Sequence, residues 1–251
     1  MNRKLPEEIE LMRKAGKILI DAMCYAKTFI KPGISTYELD KLIEKFIIDC
    51  GGSPSCLGYE GYPACSCISV NEMVVHGIPS KDIILKEGDI VSIDLVVGYK
   101  GFNADATRTF PVGNISEEKR RLVEVTRQSF YEGIKHLKVG QKIGKVSHAI
   151  QQFVEKNGYS VVRELCGHGI GKKMHEQPNI PNYGREGDGP VVVEGATLAI
   201  EPMVNMGRKE IGMMKDGWGI VTRDGLPAAH YENTVLVKAD GIEILTLGCD
   251  D

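Results

Sequence analysis

The chain lacks any run of about 20 apolar residues, the length needed to cross a bilayer, and its start, MNRKLPEEIE, lacks the apolar centre of a signal peptide. These absences argue against membrane and secreted classes, and the expected location is cytoplasmic. Paired cysteines are missing as well. The seven cysteines, at 24, 50, 56, 65, 67, 166 and 249, are odd in number and without recurrent spacing, which fits reduced thiols better than a disulfide framework. Cys65-Ser66-Cys67 has no C-x-x-C spacing, which argues against a thiolate zinc site. An excess of basic charge is also absent: the net charge is −3, with no basic stripe interleaved with aromatics, so no specific nucleic-acid site is expected. Finally, no linker or low-complexity segment divides residues 1–251, and the expectation is one domain built of two halves, about 1–113 and 114–251.

What is present is an internal repeat. KPGISTYELDKLIEKFIIDCG (31–51) aligns without a gap on KVGQKIGKVSHAIQQFVEKNG (138–158), 107 positions later. Each copy has apolar positions three, four and seven apart and closes on Gly, the pattern of an amphipathic helix with a left-handed cap. Ser35 and Glu38 form a capping box in the first copy. A longer helix precedes each copy, one opening on Pro6, Glu7 and Glu8, the other after Ser116 with Glu117 and Glu118. The same offset then matches KEGDIVSIDL (86–95) to VEGATLAIEP (193–202), which puts Glu201 where the first half has Asp94. The coarse reading is α-α-β-β twice, class α+β.

IDLVVGYKGFNADATRTF (93–110) reads as a hairpin. A symmetric turn over Gly98-Tyr99-Lys100-Gly101 pairs Asp94 with Asp105, and a turn at Asp216-Gly217 pairs Glu201 with Glu232 in the second half. Four carboxylates converging on one partly buried space repel one another. Two divalent cations balance them. An imidazole among the donors moves preference from Mg²⁺ or Ca²⁺ toward Mn, Fe, Co or Zn. His168, in CGHGIGKKMHEQP (166–178), is the best imidazole, because glycines on both sides let the backbone approach closely. His230 is at most an outer candidate, and the helix-borne His136 and His148 read as surface residues.

The ordered set Asp94, Asp105, His168, Glu201 and Glu232, set in IDL, NADATRTF, GHGIG, AIEPM and HYENTVLV, closely resembles the metal ligands of the methionine aminopeptidase and prolidase family. YEGYPACSCISVNEMVVHGIP (59–79) and KDGWG (215–219) narrow the resemblance to the bacterial type I methionine aminopeptidases. It covers nearly the whole chain. It implies the pita-bread (creatinase/aminopeptidase) fold, two pseudo-symmetric halves around a dinuclear metal site, and removal of the initiator methionine from chains with a small second residue. By the same resemblance Asp105 and Glu232 bridge two ions, Asp94 completes one, and His168 and Glu201 complete the other. Glu201 also handles the proton of the attacking water. His175 bonds the scissile carbonyl oxygen, His76 contacts the peptide nitrogen, and Cys56, Tyr59, Tyr62, Cys67, Met174 and Trp218 wall the methionine pocket.

Met174, where the family often has Phe, and Glu60, where it often has His, depart from the pattern. The implied partners are nascent polypeptide N-termini, with transient contact to the ribosome, and a monomer suffices. The cluster Arg3, Lys4, Arg13, Lys14 and Lys17 reads more simply as a solvated face of the first helix. Three alternatives follow. A prolidase or Xaa-Pro aminopeptidase is expected to carry a further N-terminal domain, for which the chain has no room. A non-catalytic relative is expected to have lost ligands, and none is missing here. A type II methionine aminopeptidase needs an inserted subdomain, and 31 positions between Glu201 and Glu232 leave no space for one.

Overall fold

The computed structural model describes residues 1–249; residues 250 and 251, the end of the second half, lie outside the described residues. Of the four helices, α1 (Pro6–Lys27), α2 (Thr36–Asp49), α3 (Glu117–Ile134) and α4 (Gly144–Lys156), the first three begin where the chain supplies start signals, and α4 begins after Ile143 without a side-chain cap. The Glu8 carboxylate accepts the Leu5 N–H at 2.9 Å. Ser35 Oγ accepts the Glu38 N–H at 3.1 Å while Glu38 accepts the Ser35 N–H at 3.0 Å, the reciprocal box expected there. Ser116 caps α3 through the Lys119 N–H.

Period-two alternation then sorts the strand residues. In the strand Ile90–Tyr99, Val91, Ile93, Leu95 and Val97 point toward Ile18, Leu19, Ala22, Leu39 and Ile43 of α1 and α2 and form one core with them. Ser92, Asp94 and Val96 therefore lie on the other face. In the second half, Leu198, Ile200, Val235 and Val237 pack with Leu122, Phe130, Val146 and Ile150 of α3 and α4. Each such fully buried aliphatic side chain contributes roughly 1.5–3 kcal/mol. That burial fixes which face of each sheet is left for polar chemistry.

The first hairpin differs from its expected register. Tyr99 pairs with Phe102, so the turn is Lys100-Gly101, and Asp94 sits opposite Thr107 while Asp105 sits opposite Val96. Lys100 and Gly101 have φ of 48° and 85°, the two positive values that a type I′ turn requires. Gly98 has another use: a Cβ there would lie 2.5 Å from Ser53 Oγ and 2.8 Å from Ser55 Oγ, where the short strand Ser53–Pro54 closes on the hairpin. The slip moves each strand by one residue in opposite senses, so the two aspartates stay on one face as diagonal neighbours.

The second hairpin keeps its expected register. Ile200 pairs with Asn233, Met203 with His230, and Met213 with Ile220. One register thus runs from the helix-packed sheet out to the Asp216-Gly217 turn, through the interruptions at Gly207 and Asp224-Gly225, and it brings Glu201 and Glu232 to adjoining ends of paired strands. Two smaller expectations are corrected. Lys4 precedes α1 and is buried against Glu176 at 2.9 Å, because the chain before the helix is tied down by a Lys4 N–H bond to Gly195 O. His136 lies beyond the end of α3, and His148 is half-buried, with Nδ1 3.0 Å from Gly184 O.

Candidate metal centre and active site

The two sheets meet along a seam of hydroxyls. Thr234 Oγ1 accepts the Asp105 N–H at 2.8 Å and donates to Asp105 O at 2.9 Å. Two residues along, Thr107 Oγ1 donates to Glu232 Oε2 at 2.9 Å, and the Glu232 N–H bonds Thr107 O at 3.0 Å. Thr109 Oγ1 bonds His230 O at 2.8 Å and accepts the His230 N–H at 2.9 Å. Alternate residues of one strand thereby hold alternate residues of the other half. From the far face the buried Arg108 guanidinium donates to Glu232 O at 2.6 Å and Asn233 Oδ1 at 2.9 Å, fixing the backbone that carries Glu232.

His168 comes from the strand Cys166–Gly169, paired on one side with Ala199 and on the other with Asn179. Gly167 permits that approach, since a Cβ there would lie 2.4 Å from Ala199 O. His168 Nδ1 is 2.9 Å from Gly169 O, which directs Nε2 toward Glu201 Oε1 at 3.4 Å and Asp105 Oδ2 at 3.7 Å. An imidazole whose Nδ1 proton is engaged by a carbonyl presents an Nε2 lone pair.

Asp94, Asp105, His168, Glu201 and Glu232 all line one cavity of about 350 Å³. Asp105, His168 and Glu232 are buried and offer ligand atoms within 4.8 Å of one another; Glu201 and Asp94 flank them and are half-buried. Burial lifts the Asp94 carboxyl to about 6. Burial, and then the neighbouring carboxylates, hold Asp105, Glu201 and Glu232 well above the usual carboxylate range. Burial likewise lowers His168 to about 4 and His230 to about 3, leaving both imidazoles neutral near pH 7.

The residues fit a divalent cation. Asp94 Oδ1, Asp105 Oδ1 and Glu232 Oε1 are buried acceptors without a hydrogen-bond partner. No lysine or arginine among the described residues lines the cavity. Unpaired buried anions are expensive, and an oxygen-rich set with one imidazole nitrogen is the donor chemistry of a borderline dication.

The six residues expected to wall the pocket lie together. Cys56, Tyr62, Cys67 and Met174 are buried together with Val96, and Tyr59 and Trp218 pack against them. Trp218 meets Tyr62 edge-on with ring centroids 5.0 Å apart. His76 and His175 line the same cavity. His76 follows the strand Met73–Val75 at φ 60°, and His175 Nδ1 is 2.8 Å from the Tyr59 hydroxyl. Burial lowers both imidazoles, and Glu60 partly opposes this at His175. Sequence reasoning missed Val96, although it stands two residues after Asp94 on the same strand face, and Thr107, two residues after Asp105. Glu164 and Asn179 reach the cavity from segments that carried no pattern.

Residues 10–239 match metallopeptidase family M24. The chain belongs to that family. Its divalent metal use and hydrolase class follow from the membership. Within the family it groups with the methionine aminopeptidases. That of Clostridium perfringens is 53% identical over 244 residues, 97% of this chain and 98% of the relative. The crystal structure of methionine aminopeptidase from Thermotoga maritima matches at a TM-score of 0.97 and 44% identity, over 99% of this chain and 100% of that one. Prolidase from Pyrococcus furiosus matches at 0.80 and 26% identity, over 98% of this chain but 65% of that one. The pita-bread fold read from the sequence is therefore the fold of the chain.

Proposed function

We propose that this chain is a methionine aminopeptidase that removes the initiator methionine from nascent polypeptides whose second residue is small. The observation that carries the reading is a single cavity joining four carboxylates and the His168 imidazole to a wall of sulfur and aromatic groups. An apolar, deformable wall suits a thioether side chain.

Asp94, Asp105, His168, Glu201 and Glu232 would hold two ions, drawn from Mn, Fe, Co or Zn. When bound, such ions activate a water and polarise a carbonyl. The remaining work belongs to side chains. Cys56, Tyr59, Tyr62, Cys67, Met174 and Trp218 seat the methionine side chain, and Glu201 accepts the proton of the attacking water. Tyr59, bonded to His175 Nδ1, turns the other ring nitrogen toward the cavity, where it donates to the scissile carbonyl oxygen as negative charge develops. His76 contacts the peptide nitrogen and supports departure of the amine.

The reading carries with it one catalytic domain acting as a monomer in the cytoplasm, close to emerging chains at the ribosome. Its test is metal-dependent release of methionine from Met-Ala-Ser, beside a peptide with proline at the second position. Release abolished in Asp105→Ala, with the circular dichroism spectrum retained, is the expected result. Equal turnover by Asp105→Ala, or preference for the proline peptide, would refute it.

A further inference from the structure

Six carboxylates line the cavity, and they fall into two sets. Asp94, Asp105, Glu201 and Glu232 form the half-buried to buried floor; Glu60 and Glu164 are exposed at its mouth. Only the floor set is assigned to metal. Among the described residues no lysine or arginine side chain forms an ion pair with Glu60 or Glu164. Among the described residues, the two carboxylates at the mouth are thus without an ion-pair partner.

Glu60 is held there by a tight loop. The Gly58 N–H bonds Tyr62 O at 2.8 Å, the Tyr59 N–H bonds Cys56 O at 3.0 Å, and the Gly61 N–H bonds Gly58 O at 3.2 Å. Gly58, Glu60 and Gly61 have φ of 82°, 49° and 89°. A glutamate in the left-handed region is uncommon, and its neighbours' bonds hold it there. The loop leaves Glu60 beside Tyr59 and His175, next to where the scissile peptide is proposed to lie. Its charge is felt at His175, whose imidazole it pushes upward against burial. Glu164 reaches the mouth from the loop before His168, its carboxylate 3.2 Å from the Arg163 N–H.

A peptide whose first side chain fills the apolar wall must leave through this mouth. We infer that Glu60 and Glu164 select substrates by charge, favouring lysine or arginine just beyond the small second residue over aspartate or glutamate. This rests on the methionine aminopeptidase reading. Because both carboxylates are exposed, the preference is screened by salt and amounts to a few-fold effect.

The test uses the metal-loaded full chain and C-terminally amidated Met-Ala-Ser, Met-Ala-Lys and Met-Ala-Glu peptides. At low ionic strength kcat/KM for the lysine peptide should exceed that for the glutamate peptide about fivefold, mainly through KM. The ratio should fall toward one at about 0.5 M salt. Glu60→Gln should lower it, Glu60→Gln with Glu164→Gln should remove it, and Glu60→Lys should invert it. A low-salt ratio of one, or a ratio unchanged in the double variant, overturns the inference while leaving methionine release intact. Failure to cleave the neutral Met-Ala-Ser peptide overturns the proposed function and this inference with it.

Discussion

Asp105 is the side chain on which the site converges. Its backbone is clamped on both sides by Thr234 Oγ1, its Oδ1 is buried without a partner, and its carboxyl is raised by burial and by Glu232, Asp94 and Glu201. The clamp holds the carboxylate in an unfavourable place for a free anion. Asp105→Asn removes the charge and keeps the shape. In metal-free protein it should raise the melting temperature, while metal affinity by calorimetry falls at least about tenfold and peptidase activity at least about a hundredfold.

The pH dependence of metal-free protein follows from the same residues. A carboxyl whose pKa is raised by folding holds its proton more tightly in the folded chain. Its stabilisation is complete below the ordinary range and is lost as pH climbs through the raised value, about 6 for Asp94. The buried histidines act in the opposite sense: their contribution is complete above the ordinary 6.5 and is lost as pH falls toward about 4 for His168 and about 3 for His230. Near pH 6 the two trends oppose each other, so the Asp94 contribution is read as the difference between the chain and Asp94→Asn. In thermal melts of chelated protein the stability gained by Asp94→Asn should grow as pH rises from about 4 through about 6, and saturating metal should reverse that gain. A difference that does not change with pH would mean that burial does not hold the Asp94 proton.

At the scale of elements, the seam hydroxyls matter as much as the ladders. Thr234→Val keeps the volume but leaves the buried Asp105 N–H without its acceptor, which should cost roughly 1–3 kcal/mol in denaturant unfolding. A cost near zero would show that the seam does not hold the halves. The helices were legible because their caps are local: Ser35 with Glu38, Ser116, and Pro6 with Glu7 and Glu8 each settle a boundary within one turn. The first hairpin was legible only to within one pair. Gly98 reads as a turn residue, yet it serves the approach of Ser53 and Ser55, a contact between segments far apart in sequence. Asp94 and Asp105 are not the directly opposed pair that was expected, but they stay on one face of the hairpin because strand parity survives the error.

At the scale of the whole molecule, the repeat was the most informative signal. Its constant offset carries Asp94 onto Glu201, and the register of the second hairpin then places Glu232 beside it. His168 needed its flanking glycines to be found, and the roles of His76 and His175 came from resemblance, because nothing local separates them from structural imidazoles. Glu164 and Asn179 were illegible, since only the packing of loops on the finished sheets brings them to the cavity.

The central claim is that the five donor side chains together hold metal ions, and the most direct measurement is an anomalous difference map from crystals of the protein loaded with manganese. Anomalous density is expected in the cavity among the donor atoms of Asp94, Asp105, His168, Glu201 and Glu232. A map without density between those carboxylates, or with its strongest peak away from His168, would contradict it.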